Sequence, residues 1–198
     1  ATRDYSPEAN VLFDGPVPPE VLNAMGQTLV TPGANWEAAF GTEAEVYFHA
    51  WAVAKYVGQV AVAGKAVYPL PMYVNASLHD PLKPQVPVDY ESGGPTDNVI
   101  PIWKAEAPAI DIEAPDIYLP GTEQYLKTLE LYHRPDNALF VTETMGSPLS
   151  ARFFFCALGL QTIGYSPFGL DYTRTFPAMP GETTSKDAFL DPTAQNYR

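Results

Sequence analysis

Hydrophobic and polar positions along the chain change period several times, and each change marks the edge of a predicted element. From Thr42 to Ala63 apolar residues recur at helical spacing, with Val46, Tyr47, Trp51, Ala54, Val57, Val60 and Ala61 on one stripe. Thr42 with Glu45 three residues on reads as a capping box, and Gly64 as the helix stop. The stretch AVYPLPMYVNAS predicts a strand ending near Asn75, although its prolines suit a central strand poorly. Residues 76–95, rich in Pro and Gly, predict a long loop of the kind that is often functional. Three more pairs come after it: helix TDNVIPIWKAEAP with strand IDIEAPDIYLP, helix GTEQYLKTLELYHR with strand ALFVTE, and helix SPLSARFFFCALG with strand TIGYSPFG. The first forty residues predict loops with one short helix starting near Pro18. The expected organisation is thus a loop-rich segment 1–41, four strand–helix units over 42–170 and a polar, irregular tail over 171–198.

Four alternations of helix and strand predict an α/β fold of parallel strands with helical crossovers. Doubly wound sheets and (β/α)8 barrels both satisfy that. The placement of polar residues favours the barrel, because Asn75, Asp116, Glu143 and Ser166 each fall at or near the C-terminal end of a predicted strand. That is the face on which barrel enzymes keep their chemistry. The expectation is the C-terminal part of a TIM barrel, about strands 5–8. Half a barrel has open edges and half a core, so the other half is expected from the same polypeptide or another chain.

Composition narrows the partners. With 46% hydrophobic residues the chain is not of disordered type, and its net charge of −12 argues against nucleic acid or an anionic membrane. A neutral substrate is compatible with that charge. The single Cys156 excludes an internal disulfide framework and a cysteine-rich zinc site, and its apolar surroundings FFFCAL read as those of a buried, inert thiol. No apolar run reaches the length of a membrane span. The start ATRDYSPEAN has no signal-peptide pattern, but a mature or trimmed chain shows none either. The compartment stays open, with a periplasmic or secreted location slightly preferred.

Candidate chemistry emerges largely by elimination. There is no G-x-G-x-x-G, no P-loop and no H-E-x-x-H, and GYSPFG has one residue too many for a nucleophile elbow at Ser166. His49, His79 and His133 are scattered and read as structural or exposed, with LHDP around His79 a weak metal signal. Glu143 stands out because it directly succeeds an apolar run. A lone acidic residue there is ordinarily a solvated charge. Here the preceding strand delivers Asp116 and Tyr118 to the adjacent position, and the next strand delivers the aromatics Tyr165 and Phe168. Carboxylates beside aromatic platforms suit a sugar, with its apolar CH faces and rim of hydroxyls. Trp103 reads as a helix-to-sheet packing residue.

The segments YPLPMYVNASL, SGGP…VIPIWKAEAPAIDIEAPDIYLPG, ALFVTETMG and IGYSPFGLD together resemble the later part of the bacterial β-galactosidase-like enzymes of glycoside hydrolase family 35. The resemblance runs over nearly the whole chain, and APDIYLP and FVTE in the correct order are its most specific parts. It implies a (β/α)8 catalytic domain and retaining hydrolysis of β-galactosides without metal or organic cofactor. In that larger clan the nucleophile is a Glu ending the seventh strand, which matches Glu143. A Tyr ending the sixth strand commonly hydrogen-bonds it, which matches Tyr118. Asn75 and Asp116 become candidates for hydrogen bonds to sugar hydroxyls. The segment RDYSPEAN…FDGPVPPEVL resembles the family's connection after the fourth strand, the strand whose end carries the acid/base in an Asn-Glu pair. No such pair occurs in these 198 residues, and Glu37, Glu91 and Glu106 do not match that motif. The alternative expectation is a carbohydrate-binding module or decayed glycosidase that no longer catalyses.

Overall fold

The computed structural model describes residues 2–27, 30–84, 88–146 and 148–168; the expected tail over 171–198 lies outside them. The chain divides into two compact units, Ala1–Pro115 and Asp116–Arg198. The first holds helices α1 (Pro7–Asp14), α2 (Pro19–Ala24), α3 (Trp36–Phe40) and α4 (Ala44–Val67), strand β1 (Tyr73–Ala76) and helix α5 (Ile100–Glu106). Strand β2 (Ile112–Ile117) crosses the boundary, and the second unit continues with α6 (Thr122–Tyr132), β3 (Phe140–Thr144), α7 (Pro148–Gly159) and β4 (Gly164–Pro167). The fold is α/β, with a parallel sheet of strand order β1-β2-β3-β4. Parallel pairing of β2 with β3 is what the alternating pattern required.

Local chemistry explains where the elements depart from the expected pattern. The first forty residues hold three helices rather than one. Ser6 Oγ accepts the Ala9 N–H at 3.2 Å with Pro7 in the first turn of α1, and Asn35 Oδ1 accepts the Ala38 N–H at 2.9 Å to start α3. Elements of 8 and 5 residues are too short to show a period against a loop-like background. At α4 the expected capping box does not form. Gly41–Glu43 make a 3-10 turn, and Glu45 instead accepts the Tyr5 hydroxyl at 2.9 Å and faces Arg3 Nε at 3.4 Å. Nor does Gly64 stop the helix. It continues to Val67 and ends where Tyr68 turns extended ahead of Pro69.

The first unit's core is aromatic. Phe13 and Trp36 each meet Phe48 edge-on with ring centroids 5.3 Å apart, and Trp51 packs on Trp36. The α4 stripe is buried at Val46, Trp51, Ala54 and Ala61, whereas Val60 is exposed. A Cβ at Gly58 would lie 2.8 Å from the Glu106 carbonyl oxygen, so α4 meets the end of α5 at backbone distance. Trp103 packs as expected, fully buried with its Nε1–H donating to Gly93 O at 3.3 Å. In the second unit Tyr125 stacks on Phe153 at 4.0 Å, and Ile117, Leu129, Leu139 and Val141 are buried as well.

Two charged pairs in the first unit are shielded from water. Glu113 on β2 is fully buried, and Lys104 Nζ from α5 lies 2.5 Å from its Oε2. The connection from β1 to α5 is clasped by His79, whose Nε2 lies 2.7 Å from Asp97 Oδ1 and whose Nδ1 lies 3.1 Å from the Asp80 backbone oxygen. Both partners can accept a hydrogen bond from the ring. Burial works against a charge on the ring, but the bonds and charges of Asp97 and Asp80 outweigh it and hold the ring above its ordinary pKa.

Removing Lys104 leaves a buried carboxylate without its cation. Lys104→Met is expected to lower unfolding stability by about 3 kcal/mol, with much of the loss recovered in Lys104→Met/Glu113→Leu. Denaturant titration of the four-member cycle measures it; an unchanged single mutant would show that the pair is unimportant. For His79 the folded-state pKa is raised, so its contribution is complete below about pH 6.5 and is lost as pH rises through the raised value. The stability difference between wild type and His79→Gln should therefore be largest on the acid side. A difference that grew with pH would contradict the raised pKa.

Candidate active site

The second unit's candidate site forms at the ends of β2 and β3. At the end of β2 Ile117 is fully buried, while its neighbours Asp116 and Tyr118 are half-buried and exposed. On β3 Val141 and Thr144 are buried, while Thr142 and Glu143 are half-buried. The parallel register pairs Asp116 with Glu143 and Ile117 with Thr144. Strand β3 therefore runs one residue beyond the expected end, and Glu143 is held inside the ladder rather than at its last position.

Hydroxyls from neighbouring strands meet both carboxylates. Tyr118 Oη donates to Glu143 Oε1 at 2.5 Å, a short, charge-assisted bond. Thr142 Oγ1 donates to Asp116 Oδ1 at 3.2 Å. The phenol of Tyr118 is pushed well above the usual tyrosine range, first by burial and then by its bond to Glu143, with the charges of Glu143 and Asp116 adding to both. Giving up its proton would place a phenolate beside two carboxylates.

Phe168, just past β4, is 59% exposed. Its N–H donates to the Thr144 carbonyl at 2.8 Å, and a Cβ at Gly146 would lie 2.7 Å from the Phe168 oxygen. Only a residue without a side chain lets the segment after β3 pass so close. Asn75 belongs to the first unit, where it is exposed on β1 opposite Ala114.

Other expected residues are placed differently. Tyr165 is not an exposed platform. Its hydroxyl points into a buried network with Tyr125 Oη at 2.9 Å and the Ser150 carbonyl at 3.4 Å, because β4 alternation turns that ring toward α6 and α7. Cys156 is half-buried rather than buried, on α7 with its thiol 3.9 Å from the Arg152 carbonyl. His79 is committed to Asp97 and Asp80, and among the described residues no group of three or more His, Cys, Asp or Glu is placed to hold a metal. No described helix is long and apolar enough to cross a membrane. Sequence reasoning missed Thr142 and Thr144. Strand alternation could not have found Thr144, because β3 pairs irregularly between Val141 and Thr144, and its two buried residues lie three apart rather than two.

The sequence matches no model of a known protein family and no curated protein.

If Glu143 helps hold the Tyr118 proton, Glu143→Gln should bring Tyr118 ionisation down toward the ordinary tyrosine value. The readout is the ζ-carbon shift of labelled tyrosine against pH, with Tyr118→Phe assigning the resonance. An unmoved titration would mean that burial alone raises it.

Proposed function

We propose that this chain is the later part, about strands 5–8, of a TIM-barrel catalytic domain that hydrolyses terminal β-galactosides with retention, using Glu143 as nucleophile. The observation that carries the reading is the Tyr118–Glu143 hydrogen bond between adjoining parallel strands. It is the relation that the resemblance to glycoside hydrolase family 35 implies for a nucleophile and its tyrosine. The sequential strand order also supports a barrel, because a doubly wound sheet reverses order at a switch point.

In this mechanism Glu143 attacks the anomeric carbon as the glycosidic bond breaks, and the leaving oxygen takes a proton from a second carboxyl group. Water then attacks the galactosyl ester, gives its proton back to that same group and frees Glu143. The two groups stand about 5–5.5 Å apart in retaining enzymes. The proposed acid/base lies outside these 198 residues, in a barrel half supplied by the same polypeptide or another chain. Asp116 hydrogen-bonds sugar hydroxyls, Phe168 offers a stacking face, and Tyr118 holds Glu143 aimed between reactions.

The missing acid gives a discriminating test. A galactoside with a poor leaving group needs general acid help, which typically contributes ~10²–10⁴-fold, whereas a 2-deoxy-2-fluoro galactosyl donor with a dinitrophenyl leaving group does not. The 198-residue chain should turn over ordinary aryl β-galactosides negligibly, yet become labelled by the activated donor. Peptide mapping should place the label on Glu143, and Glu143→Gln should abolish it. A label elsewhere, or full turnover by Glu143→Gln, would overturn the assignment. Galactoside binding without any label would favour the binding-module alternative.

A further inference from the structure

The hydroxyl of Thr144 lies on the buried side of the pair that the proposed mechanism uses. Thr144 is fully buried and comes directly after Glu143. Its Oγ1 donates to the Ile117 carbonyl at 2.8 Å, and Ile117 stands between Asp116 and Tyr118. With that proton committed, the 2.9 Å contact between Thr144 Oγ1 and Tyr125 Oη makes Tyr125 the donor. Tyr125 is held in turn, 1% exposed, stacked on Phe153 at 4.0 Å and bonded to Tyr165 Oη at 2.9 Å. The Thr144 main-chain oxygen accepts the Phe168 N–H at 2.8 Å. One residue thus touches the backbone beside Asp116 and Tyr118, adjoins Glu143 and fixes the start of the Phe168 segment.

We propose that Thr144, backed by Tyr125, is the positioning residue of the Glu143–Tyr118 pair, setting the spacing of the β2 and β3 ends from the helix side of the sheet. The reason is geometric. The two ladder pairs between β2 and β3 are Asp116–Glu143 and Ile117–Thr144, with Tyr118 one residue past them. Ile117–Thr144 is the last of these pairs, and the side-chain bond from Thr144 to the Ile117 carbonyl ties the two strands together there, one residue before Tyr118. A hydroxyl-to-carboxylate bond weakens once the oxygens separate beyond about 3 Å or the O–H turns away from its acceptor. Valine in place of Thr144 would fill the same volume and keep the strand, but could neither donate to Ile117 nor accept from Tyr125. The positioning claim concerns geometry; its meaning for catalysis rests on the reading of Glu143 as nucleophile.

The test compares wild type, Thr144→Val and Thr144→Ser, with two readouts on the 198-residue chain. The first is the ζ-carbon titration of Tyr118, which reports the Tyr118–Glu143 bond whether or not Glu143 reacts with anything. The second is the rate of Glu143 labelling by the activated 2-fluoro galactosyl donor. Thr144→Val should keep a cooperative thermal transition while Tyr118 ionises about one pH unit or more lower, and labelling should slow at least tenfold. Thr144→Ser, which restores the hydroxyl, should recover most of both. A folded Thr144→Val with the Tyr118 titration unmoved overturns the proposal, as does a Thr144→Ser no closer to wild type than valine is. Should Thr144→Val fail to fold, Tyr125→Phe removes only the donor to Thr144, and the same downward shift is required of it. If Tyr118 moves as expected but the wild-type chain is never labelled, the positioning role stands and the nucleophile reading falls.

Discussion

Two parallel strands cannot be joined by a tight turn, because the chain must return along the full length of the sheet before it pairs again. That constraint organises the whole sequence. The returns from β1 to β2, β2 to β3 and β3 to β4 are made through α5, α6 and α7. The distribution of apolar surface obeys it too, since strands covered by helices lose their alternation and read as Leu-Phe-Val or Ala-Pro-Asp-Ile. Polar residues are then tolerated chiefly where strands run out into connections. In the second unit the ends of β2 and β3 bring Asp116, Tyr118 and Glu143 together for that reason.

The buried polar groups are the exceptions, and each has a partner that defines its job. Glu113 is taken out of water on β2 with Lys104 beside it, and the cost of desolvating both charges offsets much of their attraction. His79 is held by Asp97 and Asp80, whose bonds and charges raise its pKa against the burial that lowers it. Thr144 shows a third solution, a neutral hydroxyl that accepts one bond and donates another. Neutral groups cost less to bury than ions. A hydroxyl relay is therefore suited to a place where two carboxylates already stand nearby.

Much of this was legible from the chain because strand–helix alternation is a long-range pattern. All four strands, the helices between them, the packing role of Trp103 and the meeting of Tyr118 with Glu143 are consequences of it. The features that escaped were short or depended on partners distant in sequence. Helices α1 and α3 are set by single capping side chains, Ser6 and Asn35, inside stretches whose composition suggests loops. Glu45 looks like a capping partner for Thr42 until Tyr5 and Arg3, some forty residues earlier, claim it. Tyr165 and Ser166 are neighbours on one short strand, and only the sheet's register decides which of them turns inward. A one-residue shift would have exchanged them.

The apolar run that ends in Glu143 raises the question of why a strand should carry a charge so close to its buried part. A solvated turn would leave the glutamate free to sample its rotamers, and fixing such a side chain forfeits roughly 1.5–2 kcal/mol of entropy. Here three consecutive side chains of β3 are all engaged with β2. Thr142 donates to Asp116, Glu143 accepts from Tyr118, and Thr144 donates to the Ile117 carbonyl. An exposed charge needs none of this for solubility, and the fold could hold β3 with apolar residues alone. Each of the three contacts fixes a different oxygen, those of Asp116, Glu143 and the Ile117 carbonyl, where the strands pair at Asp116–Glu143 and Ile117–Thr144. That is the arrangement expected where the direction in which an oxygen points, rather than the presence of a charge, is what matters.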